Sequence, residues 1–388
     1  MKKLRVLLFS ISGSGNFYNG PGQTAYRTFS SIKDHDLEFH LLHCNVEQPV
    51  VPMFKSQNYI DTTSFPLSLY LSSVTLNPVI QWLVKNRNEY DVIFGLSGML
   101  PISIPMSYMR IKYFKPTIIK LVTHKSDLIV KNRMKKMLFF DKIKRYFLRK
   151  IDRIVCISND IHDEALSLGF NVNKLIRIPN GVDVEKFRPS DEKDSLRLEF
   201  GVNSSCTLIL FVGALYSRKQ PHLLIDAIKE LCVDSFDNIK VLLIGPSKDG
   251  EYSDSILEKV DKYDWLEHVE FSSEVEKYYS MADVFVLPSI REGFSNAILE
   301  AMSSELIVFS RPISGAKDVI SDGDNGFLFS DINELKSKLA SVLPNLKSSE
   351  LISLKMSARK TIESGFSSGH VANCYAKEFK RLYFEKNH

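Results

Sequence analysis

The five cysteines, Cys44, Cys156, Cys206, Cys232 and Cys374, are odd in number and far apart, and no C-x-x-C pair occurs. That spacing offers neither a disulfide framework nor a zinc site, so a reducing compartment is expected. An excess of one charge is lacking too: 50 Lys and Arg stand against 46 Asp and Glu, a formal +4. Nucleic-acid binders usually carry a strongly basic domain, so nucleic acid is not an expected partner. Long uninterrupted apolar runs are also missing. The start, with Lys2, Lys3 and Arg5 before Val6–Ile11, mimics a secretory leader. Its apolar run is short and no small-x-small cleavage site follows, so it reads as a first buried strand. Residues 62–84 and 92–109 are uncharged and long enough to span a bilayer, but they contain Pro66, Pro78, Pro101, Pro105, Asn77 and Gln81. Such interruptions make poor spans, and a cytoplasmic protein, at most peripheral on the inner membrane face, is expected.

What is present suits two globular domains. A chain of 388 residues, 44% apolar and 25% charged, is too long for one ordinary core. Short Val-, Ile-, Leu- and Phe-rich runs alternate with helix-period segments. Strands are predicted at Arg5–Phe9, Glu38–Leu42, Val92–Phe94, Thr117–Leu121 and Arg153–Cys156. A second set follows at Leu208–Val212, Lys240–Ile244, Val269–Phe271, Val284–Leu287, Ile307–Phe309 and Gly326–Phe329. Helices are predicted around Thr24–Lys33, Met134–Lys150 and Asp160–Leu168. Runs without polar alternation point to parallel strands buried on both faces, in an α/β class with doubly wound, Rossmann-like domains. The turn at Pro179-Asn180-Gly181 and the polar stretch Arg188–Ser205 set the boundary. The expected division is domain 1–180, linker 181–205 and domain 206–366, with a helix over 367–388 crossing back to the first domain. Its apolar stripe is Val371, Tyr375, Phe379, Leu382 and Tyr383. Two such domains would face a central crevice at the carboxyl ends of their strands, where ligands bind in these sheets.

The richest segment for chemistry runs Leu287-Pro288-Ser289-Ile290-Arg291-Glu292-Gly293-Phe294-Ser295-Asn296-Ala297-Ile298-Leu299-Glu300. A strand ends, a glycine-containing loop follows, and Ser295 or Asn296 can cap the helix that begins at Ala297. Free N–H groups and the positive dipole end at a helix start suit a phosphate or diphosphate. Glu300 would lie about 6 Å further along the axis, at about 1.5 Å per residue, the reach from a bound phosphate to its ribose. Glu292 would stand on the loop side, towards the sugar end of a donor. Spacing alone leaves another reading open, a solvated loop carboxylate and a surface helix carboxylate.

The Glu292-x7-Glu300 pair within E-G-F-S-N-A-I-L-E-A-M resembles the signature of the retaining GT-B glycosyltransferases of family 4. Further segments resemble that family in order: Asn19-Gly20-Pro21-Gly22, Ile178-Pro179-Asn180-Gly181-Val182-Asp183, Phe211-Val212-Gly213-Ala214-Leu215 with Arg218-Lys219, and Asp318-Val319-Ile320 with Asn325-Gly326-Phe327-Leu328. The resemblance covers essentially the whole chain and is most specific in its C-terminal half. It implies a GT-B fold and retaining transfer from a nucleoside-diphosphate sugar, UDP rather than GDP, to a hydroxyl of a glycan or lipid-linked acceptor. Cell-surface polysaccharide or glycolipid synthesis would be the setting. It further implies donor binding by Gly213, Arg218, Lys219, Glu292, Gly293, Phe294, Ser295, Asn296, Ala297 and Glu300, with catalytic roles for Glu292, Arg218, Lys219 and His124. Arg218 and Lys219 would neutralise the diphosphate. Fixed cations are what a leaving diphosphate needs in the absence of a metal. Ala214 stands where some members carry arginine, which removes one expected phosphate contact. A nucleotide-sugar epimerase of the same fold and a non-catalytic nucleotide-sugar binding protein are the alternatives.

Other motifs carry less. Gly20-Pro21-Gly22, after Gly13-Ser14-Gly15, allows close backbone approach to a ligand, and the resemblance places it beside phosphates and acceptor. It is no G-x-G-x-x-G, because Tyr18 interrupts it and no acidic residue is well placed after the second strand. His124 ends a strand and would meet the sugar or acceptor. Asp322-Gly323-Asp324 is a D-x-D triplet but sits in a turn sequence, so no metal and no cofactor are expected. Residues 131–150 carry nine basic residues against one acidic, around a stripe of Met137, Phe140, Ile143 and Phe147. Such a segment could rest on an anionic membrane, or pack on the sheet with its charges in water.

Overall fold

Near-continuous runs of Val, Ile, Leu and Phe have no polar face to turn to water, so they are stable only in a sheet covered on both sides. The computed structural model describes residues 3–11, 20–32, 34, 36–44, 51–61, 77–122, 128, 135–234 and 238–387. The chain divides into two compact units, Met1–Gly181 with Ser368–His388, and Val182–Ser367.

The strands of the first unit are β1 Leu4–Ser10, β2 Leu37–Cys44, β3 Ser56–Ile60, β4 Val92–Gly95, β5 Thr117–Leu121, β6 Arg153–Cys156 and β7 Leu175–Arg177. They pair in parallel in the order β3-β2-β1-β4-β5-β6-β7. Between them lie α1 Gly20–Ser30, α2 Pro78–Lys85, α3 Leu100–Tyr113, α4 Lys135–Lys150 and α5 Asn159–Ser167. The helix Ser368–Asn387 completes this unit. Its Val371, Tyr375, Phe379 and Leu382 are buried with Phe29 of α1 and with Val6, Phe39 and Phe94 of the sheet. Positions four apart share a helix face, which makes that stripe readable from the sequence. Phe94 lies 5.4 Å from Tyr375 and 5.5 Å from Phe379, both edge to face. Rings of this size each stabilise by about 1.5–3 kcal/mol when buried, so the last helix is integral to the unit.

The uncharged stretch 92–109 separates into β4 and α3, with Pro101 in the first turn of α3 and Pro105 inside it. Helix α2 starts where Asn77 accepts from the N–H groups of Val79 and Ile80 and Pro78 fills a first-turn position that needs no donor. Among the described residues no helix is long and apolar enough to cross a membrane. Residues 62–76 lie outside the described part.

The second unit has β8 Thr207–Val212, β9 Ile239–Ile244, β10 Leu266–Val269, β11 Val284–Leu287, β12 Ile307–Ser310 and β13 Phe327–Leu328, in the order β10-β9-β8-β11-β12-β13 and all parallel. Its helices are α6 Lys193–Glu199, α7 Pro221–Asp234, α8 Glu251–Lys262, α9 Val275–Met281, α10 Asn296–Ser303, α11 Ala316–Val319, α12 Ile332–Val342 and α13 Ser349–Gly365.

Three sequence expectations change. The stretch 181–205 is not a free linker, because from Val182 onward it belongs to the second unit and contains α6. Arg197, only 3% exposed, donates there to the carbonyls of Met281 and Cys206 and to Asp283 at 2.6 Å. One arginine satisfying several buried acceptors fixes a segment whose composition reads as loop. The strand expected at Val269–Phe271 is Leu266–Val269, because Leu266 pairs with Val241 and Phe271 lies exposed. Helix α1 starts at Gly20, four residues before the expected start, which places Gly20, Pro21 and Gly22 in its first turn and not in a loop.

Lys120 on β5 is buried and donates to Asn180 Oδ1 at 2.9 Å. Burial lowers its pKa from 10.5 to about 8. The folded state therefore binds fewer protons than the unfolded chain between those values, and stability must rise with pH across that window. Between pH 8 and 10.5 this group is expected to add on the order of 2 kcal/mol, and Lys120→Met should remove that rise. Denaturant unfolding of both proteins at several pH values checks it. Identical slopes would mean Lys120 titrates normally.

Candidate functional site

The second unit gathers most of the predicted residues at the ends of two neighbouring strands. β8 ends at Val212, and Gly213 follows with its N–H on the Ile244 carbonyl at 2.8 Å. A tight turn then returns the chain, with Lys219 N–H on the Tyr216 carbonyl at 2.8 Å. The Lys219 side chain folds back over Gly213, where a Cβ would stand 3.3 Å from Lys219 Cε and Nζ. At the end of β9, Gly245 has φ +141, and a Cβ there would meet the Gly213 carbonyl oxygen at 2.4 Å. Only glycine allows the two loops to approach this closely.

Beside this turn, β11 ends at Leu287 and leads into the loop that carries Glu292. The Ile290 N–H donates to the Arg218 carbonyl at 2.9 Å, tying loop to turn. Glu292 Oε1 receives Lys219 Nζ at 2.7 Å and Arg218 Nη1 at 3.3 Å. Side-chain exposure is 13% for Glu292, 12% for Lys219 and 43% for Arg218. Burial pushes the Glu292 carboxyl up, but Lys219 and then Arg218 outweigh it and hold its pKa below the usual Glu value. Glu292 is therefore no solvated loop carboxylate. A triad of one carboxylate and two cations is net positive, and an arriving diphosphate can take over the role of counter-ion.

The loop then enters α10. Ser295 occupies the N-cap with extended backbone and makes no capping bond through its side chain. The N–H groups and positive dipole end at such a helix start suit an anion. Glu300 is 6% exposed and accepts from the Tyr279 hydroxyl at 3.0 Å. It is an oriented, buried carboxylate, not a surface one. Phe294 is 7% exposed and packs against Phe366, with ring centroids 5.9 Å apart. Gly315 has φ +79, and a Cβ there would lie 2.9 Å from Phe294 Cα, so this glycine lets the Glu292–Ser295 loop sit close to the turn before α11.

Gly213, Arg218, Lys219, Glu292, Gly293, Phe294, Ser295, Asn296, Ala297 and Glu300 all belong to this unit, and two ion pairs join Arg218, Lys219 and Glu292 into one cluster. His124 lies outside the described residues. So do residues 12–19 and 131–134. Gly20, Pro21 and Gly22 belong to the first unit. Tyr279, Gly245 and Gly315 were not singled out from the sequence. Tyr279 stands in no motif, whereas the two glycines follow or precede elements whose close approach only the fold reveals. In the D-x-D triplet, Asp322 pairs with Lys338 at 3.0 Å and accepts from the Leu328 N–H at 2.8 Å, while Gly323 turns the chain at φ +85. Among the described residues no group of three or more His, Cys, Asp or Glu could hold a metal ion.

Comparison with known proteins places both halves. A family model described as glycosyl transferases group 1 matches residues 192–355, and one described as glycosyltransferase family 4 matches residues 20–186. The chain is 26% identical over 227 residues to the UDP-Gal:alpha-D-GlcNAc-diphosphoundecaprenol alpha-1,3-galactosyltransferase of Escherichia coli, covering 55% of this chain and 56% of that protein. It is 30% identical over 202 residues to the capsular polysaccharide biosynthesis glycosyltransferase CapM of Staphylococcus aureus, covering 49% and 50%. It thus spans about half the length of these curated relatives. A glycosyltransferase from Rickettsia africae superposes with a TM-score of 0.81 at 17% identity, over 100% of both chains. Anabaena HepE in complex with UDP gives a TM-score of 0.80 at 16% identity, over 97% of this chain and 100% of the other. These two establish likeness of fold.

Proposed function

Since the chain belongs to the group 1, family 4 glycosyltransferases and has their two-unit GT-B architecture, we propose that it transfers a sugar from a UDP-sugar to a hydroxyl of a glycan or lipid-linked acceptor, with retention at the anomeric carbon. The observation that carries this reading is the ion-paired Lys219–Glu292–Arg218 cluster beside the α10 start. In this reading the donor diphosphate takes Lys219 and Arg218 as counter-ions, and the N–H groups at the α10 start face its oxygens. Glu300, held by Tyr279, accepts from the ribose hydroxyls. Glu292 faces the transferred sugar. The bond from the anomeric carbon to the diphosphate oxygen breaks, and the acceptor oxygen bonds that carbon on the same face. The acceptor proton passes to the departing phosphate oxygen. Charge develops on the diphosphate as it leaves, and the two cations stabilise it there.

The UDP and lipid-linked parts are supported by the names of the relatives: the Escherichia coli protein is named for UDP-Gal and a diphosphoundecaprenol acceptor, and HepE was solved with UDP. Metal-independent action belongs to the proposal as well, since Lys219 and Arg218 offer the positive charge a metal would bring. A peripheral contact with anionic lipid through residues 131–150 fits a lipid-linked acceptor. Absence of sedimentation with anionic liposomes at low salt would remove that part.

Thermal unfolding with UDP, GDP, ADP and TDP, each with and without EDTA, tests the reading. A ligand at a hundred times its Kd stabilises by about 2.7 kcal/mol. The expected result is an upward shift with UDP that EDTA leaves unchanged. No shift with any of the four would sink it. A shift with GDP alone would correct the base, and a shift lost in EDTA would overturn metal independence.

A further inference from the structure

The first unit holds a cavity of about 350 Å³ that has no part in the donor cluster. Its floor is a row across three parallel strands, where Leu7 of β1 registers with His40 of β2 and His40 with Ser56 of β3. Trp82 of α2 and Asn86 just after that helix contribute one wall, with Glu89 beyond them.

The polar groups of the floor are fixed before any ligand arrives. His40 holds Ser56 Oγ through Nδ1 at 2.8 Å and Glu38 Oε1 through Nε2 at 3.0 Å, so both ring nitrogens are engaged. The Asn86 side-chain N–H donates to the Trp82 carbonyl at 2.8 Å. The Asn58 amide lies 3.4 Å from Ser56 Oγ. These bonds orient both asparagines through their nitrogens. Among the described residues, the side-chain oxygens of Asn58 and Asn86, the Glu89 carboxylate and the Lys55 ammonium make no hydrogen bond within the protein.

We propose that this cavity is a saccharide-binding site separate from the donor site, sized for a mono- or disaccharide. Acceptors and one donor cation spaced around an indole match a ligand with hydroxyls on its rim and a C–H face. One lysine set against one glutamate leaves the lining without the excess positive charge a phosphate or nucleotide requires. The polar floor excludes a lipid chain, which would leave His40, Ser56 and Asn58 desolvated without return. Saccharide binding here needs no nucleotide, so it stands or falls apart from the transferase reading.

Trp82 and Trp265 are the two tryptophans, so the W265F full-length chain reports on Trp82 alone. Its emission is titrated with glucose, galactose, N-acetylglucosamine and cellobiose, with and without saturating UDP. The expected result is a saturable change with at least one of the four, at the same midpoint with UDP present. Asn58→Ala and Asn86→Ala, each in the W265F background and each matched in melting temperature to its parent, should weaken that midpoint about tenfold, the worth of roughly one hydrogen bond. No saturable change with any of the four at concentrations up to about 100 mM, where a Kd weaker than that range has no specific content, overturns the site. So does a saturable change whose midpoint both asparagine variants leave untouched.

Discussion

Glu292→Gln should lower kcat for sugar transfer by about 10²–10³-fold, the scale seen when one preorganised charge or donor is removed from a reacting centre. Affinity for the nucleoside diphosphate should stay the same or rise. In the free protein Glu292 is the counter-ion of both Lys219 and Arg218, at 2.7 and 3.3 Å. Gln keeps the shape and removes the charge, so the two cations lose their partner in a largely buried place. Breaking a buried pair in this way commonly costs about 3–5 kcal/mol, here less because Arg218 is partly exposed. A diphosphate restores the missing negative charge. The variant should therefore melt lower than the parent when empty and gain more from UDP. Initial rates with UDP-sugar and calorimetric titration with UDP separate the two effects. Unchanged kcat would exclude a catalytic role for Glu292. Loss of affinity and rate together would make it a donor-binding residue only.

The cluster behind that prediction was legible in part. Glu292 and Glu300 follow from the strand, loop and helix start that carry them and resemble a family signature, Arg218 and Lys219 follow from the resemblance of the turn after Gly213, and sequence alone leaves Glu300 either a ribose ligand or a surface carboxylate. What decides it is Tyr279, twenty-one positions before Glu300 and in no recognisable pattern, whose hydroxyl reaches that carboxylate at 3.0 Å. Long-range partners of this kind are set by how α9 packs beside α10, which no local period encodes. The sheet order shows the same division. Strands rich in apolar residues, such as Thr117–Leu121 and Val284–Leu287, agree with the sequence reading to the residue. β3, with the sequence Ser-Gln-Asn-Tyr-Ile, escaped because an edge strand needs only one neighbour and tolerates polar side chains. α6 escaped for a related reason: its stability comes from Arg197 reaching Asp283, a contact 86 positions away in the chain. The saccharide cavity is invisible to the sequence altogether, since β1, β2, β3, α2 and the loops beside them each supply it with only a few residues.

Lys219→Met should reduce kcat/KM on the order of 10³-fold, because the same cation serves the bound diphosphate and the charge that grows on it as it leaves. Lys219 is the more buried of the two cations and the closer to Glu292, so its loss should exceed that of Arg218→Met. The variant also carries a pH signature that a merely local packing defect would not produce. In the parent, Lys219 holds the Glu292 pKa below its ordinary value in spite of burial. A carboxylate depressed in the folded state adds stability above its unfolded pKa, and that stability is lost as pH falls through the folded value. With Lys219 gone, burial is the larger remaining influence and the Glu292 pKa must move upward. With that upward shift the native state binds the proton at least as readily as the unfolded chain, so the variant should lose less stability than the parent, or gain some, as pH falls from about 6 to 4. In Lys219→Met/Glu292→Gln the shift should vanish, because no carboxylate remains to titrate. Melting curves of the parent, the single variants and the double variant across that range measure it. A single variant with the parent's pH profile would mean that Lys219 does not set the charge of Glu292, and the three-residue cluster would no longer account for diphosphate binding.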